Sequence, residues 1–175
     1  ILTLAPPAHP ESIRPEDPSV LGSLTSLVTL NLSNTVASPP SLWASTPHGL
    51  MGLGLAQPTG LVGLNLRSCE WVRSSHLLSL LHHTPLLERL NMSCVSDAGD
   101  EVMAALPALC PKLTLLDVCY ARAMSAPALA ACVQRLPHLT DLGCSGFGDL
   151  SDEQVDAMLA ACGANLTMLG IGGCG

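Results

Sequence analysis

The chain has 175 residues, of which 48% are hydrophobic and only 2% aromatic, and it carries a net charge of −7. This apolar content is sufficient for a continuous core, and the scarcity of aromatic residues favours thin repeated layers over one thick core. The acidic balance argues against nucleic acid or an anionic membrane as a partner, because both are held mainly by Lys and Arg. No apolar stretch reaches the roughly 18 residues of a membrane span, so we expect no membrane insertion.

The N-terminal part of the chain is irregular. Residues 1–22 are rich in Pro, although Leu2-Thr3-Leu4 could be the end of an earlier repeat strand, because Leu2 precedes Leu30 by close to one repeat period. Residues 23–175 are interpreted as the repeat region. Within that region, residues 38–58 are rich in Pro and Gly and predict a loop insertion with at most a short helix.

Six segments of the chain share the pattern L-x-x-L-x-apolar. They begin at Leu27, Leu61, Leu87, Leu113, Leu139 and Leu166. After a longer first interval these starts recur with a period of about 26 residues, and such self-similarity indicates a repeat architecture, here with about six strands. The fourth and sixth positions of the motif are expected to face inward along a short strand, while the third, fifth and seventh positions lie on the opposite face.

Helices are predicted between these strands, which makes the fold class α/β. Apolar residues with helical spacing are Val102, Met103, Leu106 and Leu109 in one segment and Val155, Met158, Leu159 and Cys162 in another. Ser125 precedes Ala-Pro, and Ser151 stands at the first position and Gln154 at the last of a capping-box pattern. We therefore expect helices to begin near residues 125 and 151.

Cysteine occupies the ninth motif position at Cys69 and Cys174. Two further segments with characteristic sequences are a loop segment at residues 95–99 (VSDAG) and a segment at residues 108–113 (ALCPKL) that contains Cys-Pro-x-Leu. These features resemble the cysteine-containing subtype of leucine-rich repeats, which is familiar from F-box proteins that recruit substrates to ubiquitin ligases. The resemblance covers about residues 20–175. It implies a right-handed solenoid with parallel strands on the concave face and with helices and loops on the convex face.

The sequence departs from that subtype at several points. The ninth position is Thr35, Val95, Ala121 and Phe147 in the other repeats, and the first interval is longer than the others. These departures concern the subtype, because the strand motif itself is kept in all six repeats.

The eight cysteines form no C-x-x-C pair, and Cys69, Cys94, Cys119 and Cys144 follow one another at equal steps, one to each repeat. Cysteines in phase with a repeat are typical of packing residues rather than of disulfides or metal ligands. This interpretation predicts a reducing, intracellular location, cytoplasmic or nuclear.

Candidate catalytic and metal-binding residues are scarce. His76, His82 and His83 are predicted to share one helix, but no Asp or Cys lies at a matching helical spacing, so surface histidines are expected rather than a metal site. No nucleophile, base and orienting acid can be assembled from the pattern. We therefore predict no catalytic residues, no bound metal and no cofactor, and hence no enzyme.

The remaining functional feature is the outward strand face, on which side chains from successive repeats form ladders. The residues predicted to contact a partner protein on this concave face are Asn65, Arg67, Arg89, Asn91, Asp117, Tyr120 and Asp141. The arginines and the tyrosine are of the types enriched in interface contacts. An alternative interpretation of the Asn column is that each Asn only forms local hydrogen bonds.

The predicted function is protein–protein interaction. The resemblance implies the substrate-recognition repeats of an F-box-like ubiquitin-ligase adaptor, with a ligase scaffold bound through a segment outside this sequence. The alternative is a structural scaffold of a large cytoskeletal or ciliary assembly with no ubiquitin role. Because the sequence stops directly after the ninth motif position at Cys174, we expect the repeats to be truncated at the C-terminus.

Overall fold

A computed structural model of the chain describes residues 2–3, 26–34 and 60–174. These residues have an α/β structure with one parallel sheet, in which the seven strands lie side by side in chain order. The strands are β1 (Leu2–Thr3), β2 (Thr29–Asn31), β3 (Gly63–Asn65), β4 (Arg89–Asn91), β5 (Leu115–Asp117), β6 (Asp141–Gly143) and β7 (Met168–Gly170). The predicted Pro-rich irregular segment and the predicted loop over residues 38–58 lie outside the described residues, apart from the start of the former.

The first strand, β1, tests the prediction that residues 2–4 belong to a strand. β1 pairs with β2 in parallel, with Leu2 opposite Leu30, which is the alignment that the repeat period predicts. The strand prediction at residues 2–4 is therefore confirmed over Leu2–Thr3.

Four helices occur within the described residues, and each connects one strand to the next from β3 onward. They are α1 (Ser74–Leu81), α2 (Asp100–Leu109), α3 (Ala126–Val133) and α4 (Asp152–Cys162). Consecutive helices pack against one another. A parallel strand pair requires a crossover connection of this kind, because the chain must return to the same end of the sheet.

The fourth-position leucines form one lateral row across the sheet, as predicted. The registers place Leu30, Leu64, Leu90, Leu116, Leu142 and Leu169 opposite one another on successive strands. The first five of these leucines are at most 2% exposed, whereas Leu169 on β7 is 36% exposed. The difference arises because, among the described residues, β7 has a paired strand on one side only.

The helices contribute the other half of the core. Val102, Met103 and Leu106 of α2 are buried, and Leu109 packs against the core from a half-buried position, so the predicted face of this helix is confirmed. In α4, Met158 and Cys162 are buried, whereas Leu159 is 38% exposed. Leu159 is exposed because α4 packs against α3 on one flank, while no further helix of the described residues covers the other.

Local helix signals are mostly confirmed. Ser125 and Ser151 are N-caps, and Ser151 forms a capping box with Gln154. The prediction that three histidines share one helix is correct only for His76, because α1 ends at Leu81. His82 is the C-cap of this helix, and His83 follows it. A helix that is shorter than expected therefore does not carry all three imidazoles.

Candidate functional site

A tight backbone turn follows each of the strands β2 to β7 at the eighth motif position. The residues there have a positive φ, namely Asn34 (58°), Ser68 (55°), Cys94 (59°), Tyr120 (58°), Gly146 (87°) and Gly173 (70°). Only Gly adopts this left-handed conformation without a steric penalty. Because Gly occupies just two of the six positions, the sequence pattern did not reveal the turn.

Backbone hydrogen bonds stack these turns on one another. The eighth-position N–H donates to the seventh-position carbonyl of the next repeat, from Asn34 to Arg67 at 2.8 Å and from Tyr120 to Ser145 at 2.8 Å. The same bond joins Ser68 to Ser93, Cys94 to Cys119 and Gly146 to Gly172 at 2.8 to 2.9 Å. The left-handed residue is therefore held by its lateral neighbour, which offsets the strain of a bulky side chain there.

The fifth-position column forms local hydrogen bonds. Asn31, Asn65 and Asn91 each accept a bond through Oδ1 from the backbone N–H of the residue after next, at 2.9 to 3.0 Å. Asp117 does the same for the N–H of Cys119 at 3.1 Å. The side-chain oxygens of Asn65 and Asn91 thus support the turn after each strand, as the local interpretation of this column expects.

All seven residues that were proposed to contact a partner lie on four adjacent strands or in the turns after them. Asn65 lies on β3 and Arg67 in its turn; Arg89 and Asn91 lie on β4; Asp117 ends β5, with Tyr120 in its turn; Asp141 begins β6. Arg67, Arg89 and Tyr120 are exposed, and the other four residues are half-buried. We call this surface the strand face: the third, fifth and seventh motif positions of β3 to β6, together with Tyr120.

One seventh-position residue does not belong to the exposed surface. Ser93 was placed on the outward ladder, but it is only 2% exposed, and its Oγ donates to Asn91 Oδ1 at 2.7 Å. Periodicity alone cannot identify such an exception, since a short side chain beside an Asn is covered by its neighbours.

Two glycines that the sequence analysis did not select shape the strand face. A Cβ on Gly63 would lie 3.5 Å from Nε of Arg89, so the arginine side chain passes over β3. A Cβ on Gly143 would lie 2.8 Å from Oδ1 of Asp117, so the carboxylate lies close above β6. Asp117 therefore occupies space that a side chain at Gly143 would need, and Arg89 lies in contact with Gly63.

Tyr120 rests on a third glycine. A Cβ on Gly146 would lie 2.5 Å from Cδ1 of the tyrosine ring, and the residue remains 56% exposed. One side of the ring is thus packed on backbone, while much of its surface is accessible to a partner.

All eight cysteines fall within the described residues, and none is in a disulfide. Burial raises the pKa of Cys110 and of Cys132 to about 12. Burial and, after it, a hydrogen bond with Asp117 also raise the pKa of Cys119, the half-buried cysteine of the strand face. The nucleophile is the thiolate, so a raised pKa makes these three side chains poor nucleophiles near neutral pH.

In the part of the chain that the structure describes, no group of three or more His, Cys, Asp or Glu residues is placed to hold a metal ion. No helix among the same residues is both long and apolar enough to cross a bilayer.

No protein-family model matches the sequence, and a comparison with curated proteins finds no match. Function is therefore inferred from the residues and their geometry.

Proposed function

We propose that this chain is a leucine-rich-repeat protein, built as a right-handed solenoid, whose strand face binds another protein. The carrying observation is the register: the fourth-position leucines align across six parallel strands, and a helix follows each strand from β3 to β6. Repeats of this kind bury their leucines only by stacking. Stacking leaves the third, fifth and seventh positions as one mostly polar surface, which is the concave face in this proposal.

The chemistry of that surface favours a protein as the partner. Arg67, Arg89 and Tyr120 are exposed, and Arg and Tyr are among the residue types that dominate binding energy in protein interfaces. The net charge of −7 disfavours nucleic acid and anionic membranes. The proposal assigns no catalysis to the chain. The raised pKa of Cys119, which makes this thiol a poor nucleophile, is consistent with a binding role for the strand face.

Two roles for such a module are distinguished by the identity of the partner. The preferred role is substrate recognition in an F-box-like ubiquitin-ligase adaptor, supported by the resemblance of the sequence to the repeats of such proteins. The alternative role is a structural scaffold of a cytoskeletal or ciliary assembly. In either role we propose a cytoplasmic or nuclear location, since eight cysteines that form no disulfide suit a reducing compartment.

Proximity labelling with the full-length protein tests the proposal. The double variant Arg67→Glu, Arg89→Glu is compared with Lys112→Glu, Arg122→Glu, which makes the same change in charge at two exposed residues away from the strand face. We expect the first variant to lose labelled proteins that the wild type and the second variant keep. An unchanged set in the first variant would show that the strand face does not bind. Ligase subunits among the labelled proteins would support the adaptor role, and filament components the scaffold role.

A further inference from the structure

The charges of the strand face are arranged by sign along the sheet. Arg67 follows β3 and Arg89 lies on β4, whereas Asp117 lies on β5 and Asp141 on β6. Four adjacent repeats therefore present two positive charges followed by two negative charges. Neighbouring strands are about 4.8 Å apart, so the centres of the two halves lie about 10 Å from each other.

These charges do not neutralise one another across the sheet. The ion pair between Arg73 and Asp97, at 3.1 Å, lies outside the strand face, and no salt bridge joins two strand-face residues of the described chain. Arg89 and Asp117 are on adjacent strands, but Nε of Arg89 lies beside Gly63 of β3, whereas Oδ1 of Asp117 lies beside Gly143 of β6. The charged ends of the two side chains therefore contact different strands.

Asn91, on β4 opposite Asp117, lies at the boundary of the two halves and neutralises neither. Its Nδ2 donates to Asp117 Oδ2 at 2.9 Å, and its Oδ1 accepts from Ser93, so the amide joins the ladder without adding charge. The carboxylate of Asp117 still has lone pairs to offer a partner, since a carboxylate can accept about four hydrogen bonds.

The negative half continues onto a surface with few side chains. The fifth-position residues after Asp117 are Gly143 and Gly170, and the seventh-position residue of β7 is Gly172. Tyr120, which is 56% exposed, stands in the turn between the Asp117 strand and this glycine surface. Asp117 and the exposed ring of Tyr120, three residues after it, can bind the cationic end of a Lys or Arg side chain through charge and through the face of the ring. Asp141, at the start of β6, adds a second negative charge to this half.

From this arrangement we infer that the strand face recognises a bipolar segment of a partner protein, which runs across the strands with an acidic side chain on β3–β4 and a basic side chain on β5–β6. The inference rests on the proposed function and specifies the partner by its charge pattern. At about 3.3 Å per residue, a separation of about 10 Å corresponds to about three residues of an extended segment. The order of the charges fixes the direction in which the segment binds.

Three synthetic peptides of equal length serve as probes: one with an acidic block followed by a basic block, one with acidic residues only and one with basic residues only. Binding to the full-length protein is measured by fluorescence anisotropy at low ionic strength, where surface charges are least screened. We expect the bipolar peptide to bind at least about tenfold more tightly than either uniform peptide, because it alone gains attraction on both halves. Equal affinities for all three peptides would overturn the inference.

Variants locate the binding to the two halves. The double variant Arg67→Glu, Arg89→Glu should bind the bipolar peptide no more tightly than the wild type binds the basic peptide. The double variant Asp117→Asn, Asp141→Asn should bind it no more tightly than the wild type binds the acidic peptide. The Asn substitutions keep an acceptor oxygen at each position, and Asp141→Asn alone serves if the double variant unfolds. The matched control Asp149→Asn, Asp156→Asn changes two exposed carboxylates elsewhere. A loss in the control as large as in the Asp117, Asp141 variant would contradict the inference.

The same variants separate this inference from the proposed function. If proximity labelling depends on the Arg pair but not on the Asp pair, the strand face binds protein while the bipolar inference is wrong. If labelling depends on neither pair, the proposed function itself is wrong. Self-association of the chain that is lost in both charge variants would show that the face binds a second copy, which contradicts a separate partner protein.

Discussion

At the scale of single residues, glycines on the strand side of the sheet determine where their larger neighbours lie. Gly143 and Gly146 each leave space for a side chain of the adjacent repeat, namely Asp117 and Tyr120. Gly146 has in addition a φ of 87°, which an L side chain rarely adopts. Two separate costs, backbone strain and steric contact, therefore oppose any side chain at this position.

Gly146→Ala should lower the free energy of unfolding by about 2–4 kcal/mol, of which about 1–2 kcal/mol is left-handed strain and the rest overpacking against Tyr120. In a Tyr120→Ala background the same substitution should cost only the strain, about 1–2 kcal/mol. Urea unfolding of the four proteins measures both costs. Equal costs in the two backgrounds would show that the ring moves away freely and that no contact restrains it.

At the scale of elements, the N-cap residues of α3 and α4 differ in whether they form hydrogen bonds with a neighbouring helix. Ser125 caps α3 by accepting a hydrogen bond from the N–H of Ala128 at 3.3 Å. Its own N–H and Oγ donate to the carboxylate of Asp100, the first residue of α2, at 2.7 and 2.8 Å. Ser151 at the start of α4 instead forms local bonds with Gln154 of its own helix. Of these two caps, the one at Ser125 joins repeats.

Ser151→Ala should cost about 1 kcal/mol, which is typical of a lost N-cap. Ser125→Ala should cost more, about 1.5–2 kcal/mol, because it also removes a hydrogen bond to a charged acceptor near the surface. In an Asp100→Ala background the cost of Ser125→Ala should return to about 1 kcal/mol. Unfolding free energies from denaturant titration test this, and an undiminished cost in that background would contradict a contribution from the bond between helices.

At the scale of the whole molecule, burial depends on having a neighbour on both sides. Leu116 lies between β4 and β6 and is fully buried, whereas Leu169 on β7 is 36% exposed although it occupies the same motif position. Ile171, at the inward sixth position just after β7, is 41% exposed. Stability of a stacked array is close to a sum of repeat and interface contributions, so the outer layer contributes less.

Leu116→Ala should lower the free energy of unfolding by about 2–5 kcal/mol, the range for a fully buried leucine. Leu169→Ala should cost about 1 kcal/mol or less, since the side chain is still partly in contact with water. Hydrogen exchange supplies a second measurement: the N–H of Cys144, bonded to Gly170 at 2.7 Å, should exchange more slowly than that of Ile171 in the polypeptide of residues 1–175. Equal costs for the two leucines would contradict a layered core.

Much of the described fold could be predicted from the residues alone. The leucine row, the strands from β2 to β7 and the helix starts at Ser125 and Ser151 all depend on spacings within one repeat. Such signals are local, because a strand alternates at every second position and a cap acts within one turn. The sequence by itself therefore determined which strand leucines face the core and where two of the helices begin.

The tertiary structure alone decided how neighbouring repeats share space. The exposure of Leu159, the burial of Ser93 and the left-handed turn at Tyr120 depend on atoms of the adjacent repeat, which are distant in the chain. The placement of Arg89 beside Gly63 and of Asp117 beside Gly143 likewise depends on residues of adjacent strands. The spacing of the motif predicts the faces of one strand but not its contacts with neighbouring strands, and those contacts determine the shape of the strand face.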